Sequence, residues 1–304
     1  MTVAVPGTTA RVTVLAVFLL LVCAAAVAVM PAFARYGFAD GANVTTFIAI
    51  RATASLAILT VCLLVTGRSF RVPRPLVGVA ALASISAALM NYTHLESIRY
   101  IDIGLSILIL FVHPFVVAIY YHLAGQSRLS LARAFWSVTA FVGLGLALAV
   151  TFSDLDRYGL AMAFLSAFCA TVLVIAMIKV SERAGGYTTN FHLALWTLAI
   201  FIVTLAVTGD VRLPQTAIGW ASAVGNGTAH VIAFVAFLAA VRLIGASRAS
   251  LFSFAEPVAA ILLAAWLFDE RMSLTQWCGV ALVAAGLFFM EAKFTPRRKA
   301  VRVR

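Results

Sequence analysis

Long apolar runs separated by short polar connectors dominate this 304-residue sequence. About 20 apolar residues in a helix cross a hydrocarbon core about 30 Å thick. Ten runs fit that length, and they lie at 12–33, 45–66, 75–95, 101–122, 133–152, 158–179, 190–208, 216–239, 246–268 and 275–293. The connectors carry the clustered charges, prolines and glycines that end helices. We therefore expect an all-α integral membrane protein with ten transmembrane helices.

The composition excludes an ordinary soluble domain, because 63% of the residues are hydrophobic and only 11% are charged. Soluble chains are about 45–50% apolar and about 25% charged. The four cysteines stand singly inside apolar runs, without the spacing of a disulfide framework or a zinc site. We expect no metal and no cofactor. The first run is longer than the apolar part of a signal peptide, so we expect it to be a transmembrane helix.

The net charge of +11 is distributed over short connectors and the tail, which favours contact with anionic lipid over nucleic acid. A larger group of basic residues is assigned to one side of the membrane: Arg11, Arg68, Arg71, Arg74, Arg128, Arg133, Lys179, Arg183, Arg271, Lys293, Arg297, Arg298, Lys299, Arg302 and Arg304. A smaller group is assigned to the other side: Arg35, Arg99, Arg157, Arg212, Arg242 and Arg248. The positive-inside rule then predicts a multi-pass protein of the inner (plasma) membrane with both termini in the cytoplasm.

The second half of the sequence resembles the first at an offset of 143 residues, as in the matches of Arg99, Pro114 and Arg128 with Arg242, Pro257 and Arg271. We predict two five-helix repeats, 1–152 and 153–293, followed by a basic cytoplasmic tail, 294–304. After five crossings the chain is on the opposite side of the membrane from where it began, so the two repeats are expected to be inverted relative to each other. Inverted repeats around a central site are typical of alternating access in transporters.

The stretch 240–257, AVRLIGASRASLFSFAEP, resembles the EamA module of the drug/metabolite transporter superfamily, as do LFDERMS at 267–273 and GVALVAAG at 279–286. The first half has a weaker copy, SIRYIDIG at 97–104 followed by His113-Pro114. The resemblance implies ten helices in two inverted repeats and secondary transport, commonly export, of amino acids or other small metabolites. The first half departs from the pattern, with His113 in the position of Glu256 and AGQS at 124–127 in place of the acidic turn.

Two ionisable residues directly precede prolines inside predicted spans. An ionisable group at membrane depth costs about 2.5–3.5 kcal/mol, and a proline kinks or opens its helix. We interpret Glu256, Pro257, His113 and Pro114 as gating or coupling residues. For Glu256, a structural role and direct contact with a solute or proton both stay open. For His113, proton coupling and a neutral hydrogen-bonded ring stay open. Spacing by seven places Ser106, His113 and Tyr120 on one stripe, which we expect to face the interior.

Other polar residues in the spans suggest a substrate pocket. Arg51 in the second span is suited to a substrate carboxylate, although it could also snorkel or pair with an acid. The remaining candidates lie on the third, seventh and eighth spans: Asn91, Tyr92, His94, His192, Trp196, Asn226 and His230. Aromatic walls with a few hydrogen-bonding groups are typical of pockets for small solutes.

We therefore predict a secondary transporter, an exporter or permease of small metabolites such as amino acids, in contact with membrane lipid. The alternative is an importer or exchanger of another small polar solute, and proton coupling and facilitated exchange are both open. A membrane-embedded enzyme is disfavoured by the lack of a GxSG or HExxH motif and of an acidic cluster suited to a metal, so no catalytic residues are predicted, and an uncoupled channel is a further class. No Walker motif is present, so ATP is not expected to be the direct energy source. Glycines such as Gly143 and Gly279 are expected to allow close helix packing or to form a dimer surface, so the protein is a monomer or a homodimer.

Overall fold

The computed structural model describes residues 10–98, 100–127, 129–152, 155–267 and 271–292. Within these ranges every regular element is a helix. The helices are α1 (Ala10–Ala39), α2 (Val44–Val65), α3 (Val77–Ser97), α4 (Ile103–Leu110), α5 (His113–Leu123), α6 (Leu131–Ala147), α7 (Arg157–Ala184), α8 (Gly186–Thr208), α9 (Ala217–Ile244), α10 (Ala246–Phe252), α11 (Ala255–Leu267) and α12 (Leu274–Ala292). A short 3₁₀ turn, Arg74–Leu76, precedes α3.

Eight helical segments in the described ranges are long and apolar enough to cross a membrane. They comprise α1, α2, α3 with its preceding turn, the α4–α5 pair, α7, α8, α9 and the α10–α11 pair. Two shorter apolar helices cover Leu131–Ala147 and Leu274–Met290. The chain is therefore a multi-pass membrane protein. The predicted tail, 294–304, lies outside the described residues.

Two predicted spans are each divided into two helices by a short break. One break is at Phe111 and Val112, between α4 and α5, and the other is at Ser253 and Phe254, between α10 and α11. Pro114 and Pro257 lie in the first turns of α5 and α11. A proline is tolerated there because the first backbone N–H groups of a helix have no intrahelical partner. Each break therefore sets apart a short helix that begins in the interior of the protein.

The break between α4 and α5 also overturns one expectation about side-chain direction. Ser106 is fully buried, but Tyr120 is 45% exposed. A stripe at seven-residue spacing requires one continuous helix, and the two residues are on separate helices. The prediction that Tyr120 faces the interior is therefore wrong.

Helices α6 and α12 cross at a contact between glycines. A Cβ atom built on Gly143 would lie 2.8 Å from the carbonyl oxygen of Gly279, and one built on Gly286 would lie 2.8 Å from that of Trp136. Only hydrogen atoms fit in this space, so the two backbones can approach closely. Gly143 and Gly279 face each other within one chain, and the alternative that this pair forms a dimer surface is wrong.

The turns divide into two faces. One face, called the basic face here, contains residues 66–76, 124–127, Gly185 and Gly245. The Thr188 hydroxyl donates to the Ser69 carbonyl oxygen at 2.7 Å, and the Arg242 guanidinium donates to that of Ser181. The opposite face contains residues 40–43, 148–152 and 209–216, where the Asn43 amide donates to the Asp210 carbonyl oxygen at 2.6 Å.

This arrangement corrects the assignment of three arginines. Arg242 and Arg248 flank the Gly245 turn and therefore lie on the basic face with Arg68 and Arg183. The physical reason is that α9 crosses from the opposite face as one unbroken helix of 28 residues. Arg271 follows the next crossing, α10–α11, and therefore lies on the opposite face. The prediction had all three reversed, and the correction increases the excess of positive charge on the basic face.

Candidate functional site

Two adjoining cavities lie among the membrane-spanning helices. The first, called the arginine cavity here, has a volume of about 130 Å³ and is lined by Arg51, Ser55, Asn91 and His230 together with apolar side chains and Thr197. The second, the histidine–glutamate cavity, has a volume of about 280 Å³ and is lined mainly by apolar side chains with His113, Ser253 and Glu256. Four residues line both cavities: Met30, Met90, Leu173 and Phe234. The two spaces therefore form one elongated candidate site.

Arg51 is positioned by a close contact between α2 and α9. A Cβ atom on Gly227 would lie 2.6 Å from the Arg51 carbonyl oxygen, so only glycine fits there. One turn further along α2, the Ser55 hydroxyl donates to the Gly227 carbonyl oxygen at 3.0 Å. These contacts fix the backbone that carries Arg51, and its side chain lines the arginine cavity.

His230 and Asn91 supply further polar groups to the same cavity. The Nδ1 atom of His230 is buried and has no hydrogen-bond partner among the described residues. Its ring packs against that of Phe234 with centroids 4.4 Å apart. The side-chain nitrogen of Asn91 donates to the Ala87 carbonyl oxygen at 2.7 Å. The cavity therefore combines a guanidinium, an imidazole and an amide.

Asn226 lies one turn before His230 but has a different contact. Its side-chain nitrogen donates to the Met30 carbonyl oxygen at 2.8 Å, which joins α9 to α1. The Asn226 side chain is buried and is not among the residues that line either cavity. It holds the helix that carries His230 and the backbone of Met30, which lines both cavities.

The two helix breaks bring His113 and Glu256 to the histidine–glutamate cavity. The Nδ1 atom of His113 is 2.9 Å from the Leu110 carbonyl oxygen. A carbonyl can only accept, so Nδ1 carries the hydrogen and Nε2 is the atom that can take up a second proton. The Cys23 thiol donates to Glu256 Oε1 at 3.7 Å. Pro114 and Pro257, each next to one of these residues, are buried.

Besides Asn226, four residues predicted for the substrate pocket line neither cavity. Tyr92 is 63% exposed and Trp196 is 45% exposed. The Nδ1 atom of His94 is 3.1 Å from the Ser106 hydroxyl oxygen, in a contact between α3 and α4. His192 Nε2 is 2.8 Å from the Phe70 carbonyl oxygen at the basic face, where it joins α8 to the segment before α3.

Sequence reasoning missed three residues of the site on α1. Cys23 and Val27 line the histidine–glutamate cavity, and Met30 lines both cavities. Their spacing at i, i+4 and i+7 is that of a single helix face, a signal that was present in the sequence. This spacing could not single out the three residues, because nearly every position of α1 is apolar.

A model of the EamA-like transporter family matches residues 157–291, from the start of α7 into the last turn of α12. The second half of the chain is therefore similar to the EamA-like transporter family. The chain is also 25% identical over 234 residues to an uncharacterized transporter of Archaeoglobus fulgidus, a match that covers 76% of this chain and 80% of that protein. Both matches are to proteins described as transporters.

The chain also resembles a solved structure described as a crystal structure of a protein. The TM-score is 0.75, and the match covers 93% of this chain and 98% of the other, with 17% sequence identity. At that identity the likeness shows a shared fold across nearly the whole chain and carries no information about substrate.

Contacts between loops join the helices at the opposite face. Asp40 Oδ2 accepts hydrogen bonds from the backbone N–H groups of Gln215 and Thr216, each at 2.8 Å. These N–H groups, Thr216 foremost, lower the pKa of the Asp40 carboxyl below its usual range. The turn between α1 and α2 is thereby fastened to the start of α9.

Proposed function

We propose that this protein is a secondary transporter that moves a small metabolite such as an amino acid across the inner membrane of the cell, in the direction of export. The observation that carries the proposal is the pair of adjoining cavities at membrane depth. Each contains ionisable groups in otherwise apolar surroundings. Such groups are costly in a membrane and are retained mainly for function.

The chemistry of the two cavities suits a solute that carries a negative and a positive charge, such as an amino acid. The guanidinium of Arg51 can donate two parallel hydrogen bonds to a carboxylate, with Asn91 and His230 beside it. Met30, Met90 and Phe234 can contact an apolar side chain. Glu256 can accept a substrate amine or a proton, and His113 Nε2 can exchange a proton. We assign these residues to binding and coupling, with Pro114 and Pro257 at the helix breaks as gating elements.

The helix boundaries support an internal duplication. Helix α6 begins at Leu131 and α12 at Leu274, which are 143 residues apart. The other helices of the first half, including the α4–α5 break, recur in the second half at nearly the same offset. We propose ten spans in two inverted repeats, 1–152 and 153–293. The basic-face halves of the broken spans, α5 and α10, pack together, and the ring of Phe254 in the break after α10 is 5.3 Å from that of Phe115. Alternating access would require this contact to open.

The orientation follows from the corrected charge distribution. Arg68, Arg183, Arg242 and Arg248 all lie on the basic face, which we propose to be cytoplasmic by the positive-inside rule. Both chain termini would then be in the cytoplasm. The predicted tail, 294–304, would add further positive charge to that side.

Counterflow in proteoliposomes tests the proposal. Liposomes loaded with an unlabelled amino acid should take up labelled substrate transiently, with a saturable rate. Arg51→Gln should lower the apparent affinity about 10- to 100-fold, as expected for loss of hydrogen bonds from a charged group. Glu256→Gln and His113→Ala should lower the rate and change its dependence on pH.

Tyr92→Phe and Trp196→Phe serve as matched controls, because both side chains are exposed and lie outside the cavities. They should transport at the wild-type rate. Flux that does not saturate, or full activity of Glu256→Gln and Arg51→Gln at every pH, would contradict the proposal. Net uptake of the substrate by intact cells, instead of efflux, would favour the alternative of an importer or exchanger.

A further inference from the structure

A third cavity, of about 410 Å³, lies at the basic face between the α5–α6 turn, α7 and the α9–α10 turn. Among the described residues, three arginines line it, Arg133, Arg242 and Arg248, together with one carboxylate, Glu182. Arg133 is unusually well buried for an arginine, at 5% exposure. The charged groups that line this space are therefore mainly positive.

Two buried hydroxyl groups also line this cavity. The Oγ atoms of Ser127 and Ser247 have no hydrogen-bond partner among the described residues. Ser247 is only 2% exposed, so bulk water does not satisfy it. A buried polar group without a partner carries a desolvation cost unless a ligand or ordered water completes it. Hydroxyl donors beside arginines are what a phosphate oxygen requires.

An apolar groove continues from this cavity towards the membrane interior. It has a volume of about 370 Å³, and it shares Arg242 and Leu243 with the basic cavity. Its other lining residues are mostly apolar side chains of α1 and α9, including Leu15, Leu19, Val235 and Leu238, and Arg68, Gly186 and Tyr187 also line it. Leu15 is 49% exposed, so the groove is accessible from the side.

We propose that these two connected spaces bind an anionic phospholipid from the cytoplasmic leaflet. The phosphate group occupies the basic cavity near Arg242, Arg248 and Ser247, and an acyl chain lies in the groove beside Leu15. Basic pockets between transmembrane helices on the cytoplasmic side are suited to such head groups. The site is separate from the central cavities and does not require transport activity, but its assignment to the cytoplasmic leaflet rests on the orientation proposed above.

The test compares lipid retention in native mass spectrometry and binding in nanodiscs. Wild-type protein should retain phosphatidylglycerol over phosphatidylcholine. The double variant Arg242→Gln/Arg248→Gln should bind phosphatidylglycerol about 30-fold more weakly, about fivefold for each arginine. The control Arg212→Gln/Arg271→Gln removes the same charge from exposed positions on the opposite face and should bind like wild type. Unchanged melting temperatures in lipid-free detergent establish that the variants are folded.

A second variant separates a lipid from a soluble phosphate. Leu15→Trp fills the groove from an exposed position, and it should weaken phosphatidylglycerol binding while the basic cavity is unchanged. Glycerol phosphate should compete poorly, because it has no acyl chain. Equal retention by wild type and the arginine double variant would overturn the proposal. Strong binding of glycerol phosphate that Leu15→Trp leaves unaffected would also overturn it, because the ligand would then be a soluble phosphate.

Discussion

At the scale of single residues, Arg51 carries the most specific chemistry. A guanidinium presents a planar fork that matches a carboxylate, whereas a lysine presents a compact point charge. Arg51→Lys keeps the positive charge in the arginine cavity but loses this geometry. We expect the apparent substrate affinity in counterflow to fall about tenfold, with the maximal rate largely kept. An unchanged affinity would show that Arg51 does not hold the carboxylate.

Asp40 gives a second prediction at this scale, concerning pH. Its pKa is lowered in the folded protein, so its contribution to stability is present above the unfolded pKa of about 3.9 and is lost as the pH falls through the folded value. Asp40→Asn should therefore lower the melting temperature at pH 7, and the gap from wild type should close at strongly acidic pH. A gap of the same size at both pH values would contradict this assignment.

Residue type predicted only part of the candidate site. Arg51, Asn91 and His230, which were selected for their polarity inside apolar runs, line the arginine cavity. Tyr92 and Trp196 were placed in the pocket, but both lie at the surface. An amphipathic aromatic ring suits a lipid-facing position as well as a pocket, and only the rotation of the helix distinguishes the two. His192 could not be predicted either, because its partner is the carbonyl of Phe70, 122 positions away.

At the scale of the helices, the crossing of α6 and α12 depends on the absence of side chains. A Cβ atom on Gly279 would lie 2.6 Å from the carbonyl oxygen of Gly143, so Gly279→Ala must push the two backbones apart. We expect a loss of about 1–3 kcal/mol in the free energy of unfolding, measured with denaturant in detergent micelles.

Gly78→Ala is the matched control for this prediction. Gly78 lies in the first turn of α3 and has open space around it. Alanine favours the helix over glycine by up to about 1 kcal/mol, so this variant should be as stable as wild type or slightly more stable. Equal stability of the Gly279→Ala and Gly78→Ala variants would show that the close approach is unimportant.

The positions of most helices followed from the hydrophobic pattern, but the breaks did not. Pro114 and Pro257 indicated that their spans were disturbed. A proline in an apolar run can kink a continuous helix or occupy the first turn of a new one, and the sequence pattern is the same in both cases. Packing of Phe254 against Phe115 and Phe141 accompanies the second outcome here, and such a contact between distant segments is not visible in local sequence.

At the scale of the whole molecule, the corrected topology predicts which arginines share a compartment. Single cysteines are introduced at Arg183, Arg242, Arg212 and Arg271 after the four native cysteines are replaced. Positions 183 and 242 should be protected from a membrane-impermeant maleimide in intact cells, and positions 212 and 271 should react. Labelling of positions 183 and 242 from outside would contradict the assignment of the basic face to the cytoplasm. Labelling of only one of the two would contradict their placement on the same face.

The boundary between the arginine cavity and the histidine–glutamate cavity, formed by the residues that line both, has a consequence for selectivity. It contains two methionines, Met30 and Met90, whose unbranched thioethers adopt many shapes at low cost. A molecule that spans both cavities would be recognised by specific hydrogen bonds at its charged ends and by adaptable apolar contacts along its middle. Compounds should therefore be discriminated by the separation of their opposite charges, whereas branching, sulfur or an added methyl group between them should be tolerated. Such a protein would handle a class of related compounds instead of a single one.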